Sequence, residues 1–400
     1  IRWSIDCCGH EILSAYCVRF VSGWKMLWCI AILGSLLFYL FCVVQLGWGL
    51  QRLRSCQAQR LPFVSIIIAM KNEQNQARAC LDAVTRQQYP HDALEIIVVD
   101  DGSVDNTPTI LAEYQRQYSW LRVLRLENRP ADWGGKKYAL QQAIAHSEGE
   151  IMLFTDADCL PPPNWVRSMM ACFEDDVGVV AGFSPLVDPS NSLLGKMLAC
   201  DSLAAGVVAA GGIGWGRPIT AVGRNLAYRR VVFEEVGGFD QLKHHVSGDD
   251  DLLLQLVHRS TRWRCCFAVA LDSIVPSYQT ISWRHFFVQK IRHLSAGKGY
   301  DLELQVGYFL FHLSNLVLMS SFWIAWLMGA NIGLAAAALV AKGAADYWLL
   351  ARGANIFQMN RVIKYFPLWE IFFWLSHVII GPISWIAQVK WKPGDRTSST

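Results

Sequence analysis

Residues 27–50 read LWCIAILGSLLFYLFCVVQLGWGL, two dozen positions without a charged side chain. At about 1.5 Å per residue such a helix is about 36 Å long, enough to cross the roughly 30 Å hydrocarbon core of a bilayer. Lipid offers no partner to backbone N–H and C=O groups, so a lone spanning segment of this kind has to be helical. Three more apolar stretches, 309–328, 332–350 and 366–389, stand near the other end of the chain. The expected order is therefore membrane, soluble, membrane. Composition agrees, since 53% of the 400 residues are hydrophobic and only 17% charged, and 17 tryptophans suit half-wet rings at membrane–water interfaces.

Residues 1–26 are expected to form a separate N-terminal segment and 390–400 a polar tail. Ile1 stands where a start would put Met, and no signal peptide is evident, so whether the N-terminus is complete stays open. Around the first span, Arg52, Arg54 and Arg60 narrowly outweigh Arg19 and Lys25. Lys290, Arg292, Lys298, Arg352, Arg361 and Lys364 then point to one cytoplasmic face. Lys390, Lys392 and Arg396 would break that rule after four full spans, so Gly381-Pro382 is expected either to kink a span or to mark a re-entrant segment. Lys342 and Asp346, one helical turn apart, are expected to pair inside the bundle. With 36 basic and 33 acidic residues the net charge is +3, which leaves no basic excess for nucleic acid. The 12 cysteines lack metal-ligand spacing and read as reduced or buried thiols rather than a disulfide scaffold.

Between the apolar ends, residues 61–280 change rhythm. Short apolar runs at 64–69, 95–99, 123–126 and 151–155 alternate with helical patterns at 74–87, 107–117 and 137–146. That alternation predicts an α/β domain with a mostly parallel sheet. Residues 281–300 follow as an interfacial amphipathic helix, with Trp283, Phe287, Ile291 and Leu294 on one face and Arg284, Lys290, Arg292 and Lys298 between them.

Ligands in such sheets bind beyond the carboxyl ends of the strands, so acids placed there draw attention. Asp100-Asp101 follows one strand, and a carboxylate there can accept hydrogen bonds from a base or ribose; it can equally be a turn acid before Gly102. Asp156-Ala157-Asp158 follows another, and two acids one residue apart can bring oxygen ligands to one Mg²⁺ or Mn²⁺, or form a solvated loop. Such a metal would neutralise charge on a departing nucleoside diphosphate. Asp249, Asp250 and Asp251 open a helical run. Crowding can raise a carboxylate's pKa and suit it to general-base work, while the helix dipole would favour the same acids structurally.

Taken in order, these residues resemble the membrane-bound, inverting family-2 glycosyltransferases. The likeness runs from about 61 to 300 through Lys71-Asn72-Glu73, Asp100-Asp101, Gly135-Lys136-Lys137-Tyr138-Ala139-Leu140, Asp156-Ala157-Asp158, Gly223-Arg224-Asn225-Leu226-Ala227-Tyr228 and the acid run after Gly248. It implies a nucleotide-sugar-binding, GT-A-like fold related to the Rossmann type, with transmembrane helices added. It further implies that Glu73 and Asp101 hold base and ribose with Asp100 beside them, that Lys136 or Lys137 lies near the nucleotide, that Asn225 belongs to the substrate site, and that Asp156 and Asp158 face metal and diphosphate. Asp249 or Asp250 would be the base, the register of Asp251-Leu252 favouring Asp249. The family's late signature becomes Gln289-Lys290-Ile291-Arg292-His293, with His293 where tryptophan is usual. Arg292 suits a diphosphate, and an imidazole in place of an indole weakens the case for a sugar acceptor.

The expected function is transfer of one sugar from a UDP- or GDP-sugar to a hydroxyl of a membrane lipid (carotenoid, sphingolipid, glycerolipid or hopanoid type) by a multi-pass membrane protein whose catalytic domain is cytoplasmic. A processive polysaccharide synthase is the alternative within the class. A transporter or sensor with a degenerate nucleotide-sugar domain is the alternative outside it. Lys196, Arg229 and Arg230 read as ordinary surface charges.

Overall fold

Strands buried on both faces need helices above and below them, and the apolar runs of the central region are arranged to meet that demand. The computed structural model describes residues 7–130, 133–245 and 248–387, the side chains of 7–22 and 385 excepted. Its first helix is α1 (Cys7–Arg52). Then come β1 (Val64–Met70), α2 (Ala77–Thr85), β2 (Leu94–Asp100), α3 (Thr107–Gln117), β3 (Leu121–Arg125), α4 (Gly135–Ala145), β4 (Ile151–Asp156), α5 (Trp165–Met170), β5 (Val177–Gly182), β6 (Leu186–Val187) and α6 (Leu193–Trp215). They are followed by β7 (Leu226–Arg229), α7 (Arg230–Glu235), α8 (Asp251–Ser260), β8 (Arg264–Ala268), β9 (Ser277–Tyr278), α9 (Trp283–Ser295), α10 (Leu302–Met328), α11 (Ile332–Ile356) and α12 (Phe366–Ile386).

The main sheet has the order β3-β2-β1-β4-β7-β5-β8, parallel except where β7 meets its two neighbours. β6 and β9 form a second, two-stranded parallel pair. Every residue of β1 and β2 is buried. On one face Val64, Ile66, Ile68, Ile96 and Val98 pack with Leu81, Val84, Leu111 and Trp165. The opposite face is crossed by α4. Register opposes Met70 to Asp100 and Ala69 to Asp156, so the acids that end β2 and β4 share one edge. The mostly parallel α/β sheet expected from the alternating pattern is the observed one.

The chain divides into two compact units, Ile1–Val44 with Val306–Tyr347 and Gln45–Gln305 with Trp348–Thr400. In the first, Lys342 Nζ lies 2.8 Å from Asp346 Oδ2, and the Tyr39 hydroxyl donates to Asp346 Oδ1 at 2.9 Å. Both charges are buried, and each removes the other's cost in apolar surroundings. Leu37, Phe41, Phe309 and Val340 are exposed on this unit, as lipid-facing side chains would be.

The second unit holds the sheet and revises several expectations. Among the described residues five helices are long and apolar enough to cross a membrane: Gly23–Arg52, Leu193–Trp215, Leu302–Met328, Ile332–Ile356 and Asn360–Ser384. The second of them, α6, falls inside the stretch that periodicity assigns to the soluble domain; 56% of its most apolar window is buried within the protein, against 17% for the first. It is built for close packing. A Cβ on Gly49 of α1 would stand 1.8 Å from the Gly211 carbonyl oxygen of α6, so only glycine admits this crossing. Gly49→Ala should therefore lower the melting temperature, at the 1–3 kcal/mol or so usual for overpacking. Gly307→Ala, where a Cβ meets nothing within 4 Å, is the control; equal melting curves for the two variants would refute the tight crossing.

Residues 7–26 are not a segment apart but, so far as described, continue α1. α12 runs through Pro382 to Ile386, so the proline does not end the helix. The tail lies outside the described residues. Arg229 and Arg230 are not surface charges. Arg229 is buried, pairing with Glu150 at 2.6 Å and donating to the carbonyls of Val177 and Glu174. Arg230 gathers the carbonyls of Gly149, Ile144 and Ser147. Cys56 and Cys172 form a disulfide, a correction to the reading of thiols throughout; Cys29, Cys42, Cys80, Cys159, Cys200, Cys265 and Cys266 are free.

Candidate active site

The edge formed by the ends of β1, β2 and β4 carries two groups of acids. At β2, Asp100 is buried and its Oδ1 accepts the Ser103 N–H at 2.9 Å, so it shapes the turn that presents Asp101. Asp101 pairs with Lys71 at 3.3 Å and Arg129 at 3.8 Å. Glu73 is half-buried on the neighbouring loop, where its N–H donates to the Thr107 hydroxyl at 2.8 Å. Asn72 takes a left-handed φ of 54° and its Oδ1 accepts the Val104 N–H, tying the two loops together. Asparagine tolerates that conformation because its short amide bonds locally.

At β4, Lys136 is the link. Its Nζ stands 2.9 Å from Asp156 Oδ1 and 3.3 Å from Asp249 Oδ2, so a cation already lies between acids 93 positions apart in sequence (249 − 156). Asp158 is held from below: Ser277 Oγ donates to its Oδ2 at 3.0 Å, Gln279 Nε2 to the same oxygen at 2.5 Å, and the Cys159 thiol to Oδ1 at 3.2 Å.

Partners separate the three adjacent acids. Asp250 caps α8, accepting the Asp251 N–H at 2.8 Å on one oxygen and the Gly223 N–H at 2.8 Å on the other. Asp251 accepts from Thr220 Oγ1 at 2.6 Å, the Ala221 N–H at 2.9 Å and the Tyr300 hydroxyl at 2.9 Å. Asp249 has Lys136. Burial, and then the neighbouring Asp249 charge, raise the Asp250 pKa; burial and Asp250 push Asp251 up to about 7. Burial acts on Asp249 too, but Lys136 and Lys137 outweigh it and hold this carboxyl below its usual range. The acids raised by crowding are thus the two that accept several hydrogen bonds, and the one held low is Asp249 beside Lys136.

Asn225, and Lys137 of the two alternatives Lys136 and Lys137, are hydrogen-bonded inside the protein. Lys137 is fully buried and donates to the His245 carbonyl at 2.6 Å; burial draws its pKa down to about 8. It braces the chain ahead of the acid run and adds its charge to the field on Asp249, while Lys136 is the one of the pair seen within 3.3 Å of the acids. Asn225 is also fully buried: its Nδ2 donates to the carbonyls of Phe183 and Ser273, both at 2.8 Å, and its Oδ1 accepts from Trp165 Nε1 at 3.0 Å. Its amide donors and its acceptor are thus all engaged within the protein. Asn225→Ala should lower stability by about 1–3 kcal/mol, the cost of orphaned buried groups, while donor affinity measured by calorimetry on the folded protein stays as in wild type. A selective loss of donor affinity would return Asn225 to the binding site.

Gln289, Arg292 and His293 share a face of α9 at i, i+3 and i+4. His293 is exposed, and Lys136, the cation between Asp156 and Asp249, is among the charges whose field it feels, with Arg292, Arg224 and Lys290. α9 is anchored by Phe286, buried with its ring 5.1 Å from Phe372 of α12, and by Lys290, paired with Asp201 of α6 at 2.8 Å. Trp283, Phe287 and Val288 stay exposed. Sequence reading missed Arg129, Ser277, Gln279 and Asp201. None sits in a motif or at a strand end within an alternating pattern, so only the fold shows what they touch.

A Rossmann-like half-sheet with acids along its carboxyl edge, basic side chains among them and a short antiparallel strand, β7, set between β4 and β5 is a fold of the nucleotide-sugar-binding type. Residues 65–237, somewhat under half of the chain, match Glycosyl transferase family 2. It is 32% identical over 229 residues to the probable glycosyltransferase YdaM of Bacillus subtilis, covering 56% of this chain and 54% of that one. It is 31% identical over 218 residues to a beta-monoglucosyldiacylglycerol synthase of Nostoc sp., covering 53% of this chain and 45% of that one. The chain thus spans about half the length of the curated relatives it matches. The structure resembles mannosyltransferase PcManGT from Pyrobaculum calidifontis, solved with GDP-Man and Mn²⁺, at a TM-score of 0.53 and 21% identity over 88% of this chain and 99% of that one. At that identity the likeness shows the GT-A-like fold.

Proposed function

We propose that this protein transfers a single sugar from a nucleotide donor to the hydroxyl of a membrane lipid, with inversion, at the cytoplasmic membrane surface. The observation that carries the reading is the sorting of the acid run: Asp250 and Asp251 are spent on backbone and hydroxyl donors, while Asp249 is held ionised beside Lys136 at the edge where Asp156 and Asp158 sit. An ionised carboxylate can take the acceptor hydroxyl's proton as the oxygen attacks the sugar. Asp101, with Glu73 near it, would receive the nucleoside, and Lys136 and Arg292 the diphosphate.

Asp156 and Asp158 fit a hard divalent cation. Their donors are all carboxylate oxygens; Lys136 engages only one oxygen of Asp156, and Ser277 and Gln279 fix the orientation of Asp158. Mg²⁺ or Mn²⁺ there would act as a Lewis acid toward the leaving diphosphate.

The lipid acceptor is supported by α9, whose Trp283, Phe287 and Val288 are exposed while His293 on the same helix lies in the field of Lys136, and by the apolar α10 that begins seven residues after α9 ends (302 − 295). The relatives named as glucosyldiacylglycerol synthases favour a glycerolipid. The test is the full chain in lipid nanodiscs with radiolabelled UDP- and GDP-sugars and extracted lipids. One glycolipid of a single added sugar is expected. Chains of increasing length would replace the reading by a polymer synthase, and no turnover with any donor would favour a sensor or transporter.

A further inference from the structure

Away from the acids, three cysteines meet. Cys56 lies on the linker after α1, Cys172 just beyond α5 and Cys266 on β8, the outer strand of the main sheet, and their sulfurs all lie within 4.8 Å of one another. Cys56 and Cys172 are bonded, and Cys266 Sγ stands 3.9 Å from Cys56 Sγ. The cysteines come from elements 116 and 210 residues apart, so the fold, not local spacing, assembles the group. A tetrahedral ion with metal–sulfur bonds of about 2.3 Å sets neighbouring sulfurs about 3.8 Å apart. Cys266 already stands at about that spacing from Cys56, and the bonded pair has to part.

We propose that the reduced form of this group binds one thiophilic divalent cation, Zn²⁺ in the first instance, and thereby clips the linker that follows the first apolar helix to the edge of the sheet. A dithiol reductant would deliver two electrons and two protons to the Cys56–Cys172 bond and itself become a disulfide. The cation would then replace three thiol protons, which leave to solvent. Among the described residues no fourth His, Cys, Asp or Glu joins the group, so water completes the shell. Clipping matters because the linker bears exposed Arg54 and Arg60 and few anchors, among them the Ala58 N–H on the Ala171 carbonyl at 2.9 Å. The inference is independent of the sugar-transfer reading.

The experiment uses the full chain in detergent micelles, reduced with a phosphine and titrated with Cd²⁺, whose thiolate complexes absorb in the ultraviolet. One Cd²⁺ per chain is expected, displaced by Zn²⁺, lost in Cys172→Ser and Cys266→Ser and kept in Cys265→Ser, whose side chain alternates to the other face of β8. Trypsin should cut at Arg54 and Arg60 in the reduced, metal-free protein several-fold faster than after Zn²⁺ is added. Cys266→Ser retains the disulfide, so circular dichroism of its oxidised form checks its folding separately. Absence of the band from the reduced wild type, or a full band in folded Cys266→Ser, would overturn the proposal.

Discussion

Asp249→Asn should cut transfer by about a hundredfold or more, the usual worth of a positioned general base, while donor binding persists in a calorimetric titration. The amide keeps the shape of the side chain and removes its proton affinity. Asp250→Ala should behave differently. It removes the cap of α8 and the acceptor of the Gly223 N–H, so it should cost about 1–2 kcal/mol of stability, read as a lower melting temperature. If Asp250→Asn abolishes transfer in a folded protein and Asp249→Asn remains active, the base is Asp250 and the sorting by hydrogen-bond partners has misled.

The second large effect is expected at the end of β4. Asp156→Asn and Asp158→Asn should each raise the Mn²⁺ or Mg²⁺ concentration needed for half-maximal transfer, and weaken Mn²⁺ binding followed by paramagnetic resonance, by on the order of a hundredfold. Gln279→Ala should shift both by about 10–100-fold, because it removes an outer donor that orients Asp158. Near-normal turnover of both aspartate variants at the same low metal concentration as wild type would remove the cation from this site. Lys136 has a charge of its own between Asp156 and Asp249 and would then remain as the positive group at that edge.

Local pattern carries a good part of the architecture. A strand's alternation and length, and a turn acid directly after it, are properties of consecutive residues, so the run from β1 to β4 and the positions of Asp101, Asp156 and Asp158 are legible in the linear chain. α3, expected over 107–117, occupies Thr107–Gln117. Local pattern is silent where apolar composition has two uses. Leu193–Trp215 is as long and apolar as a span, yet over half of its core window is packed inside the protein, and only its partners tell the two cases apart.

Hydropathy and periodicity are short-range quantities, and they suffice to establish that this chain joins membrane-length helices to an α/β domain with acids at the ends of its strands. Folding adds what they lack: which of Asp249, Asp250 and Asp251 keeps its carboxylate from structural work, that Lys137 and Asn225 are internal braces, that Arg229 and Arg230 hold carbonyls, and that Cys56 meets Cys172 and Cys266. Each of those outcomes turns on hydrogen bonds or contacts reaching across many tens of residues. Three neighbouring aspartates are chemically identical until the fold assigns each of them its donors.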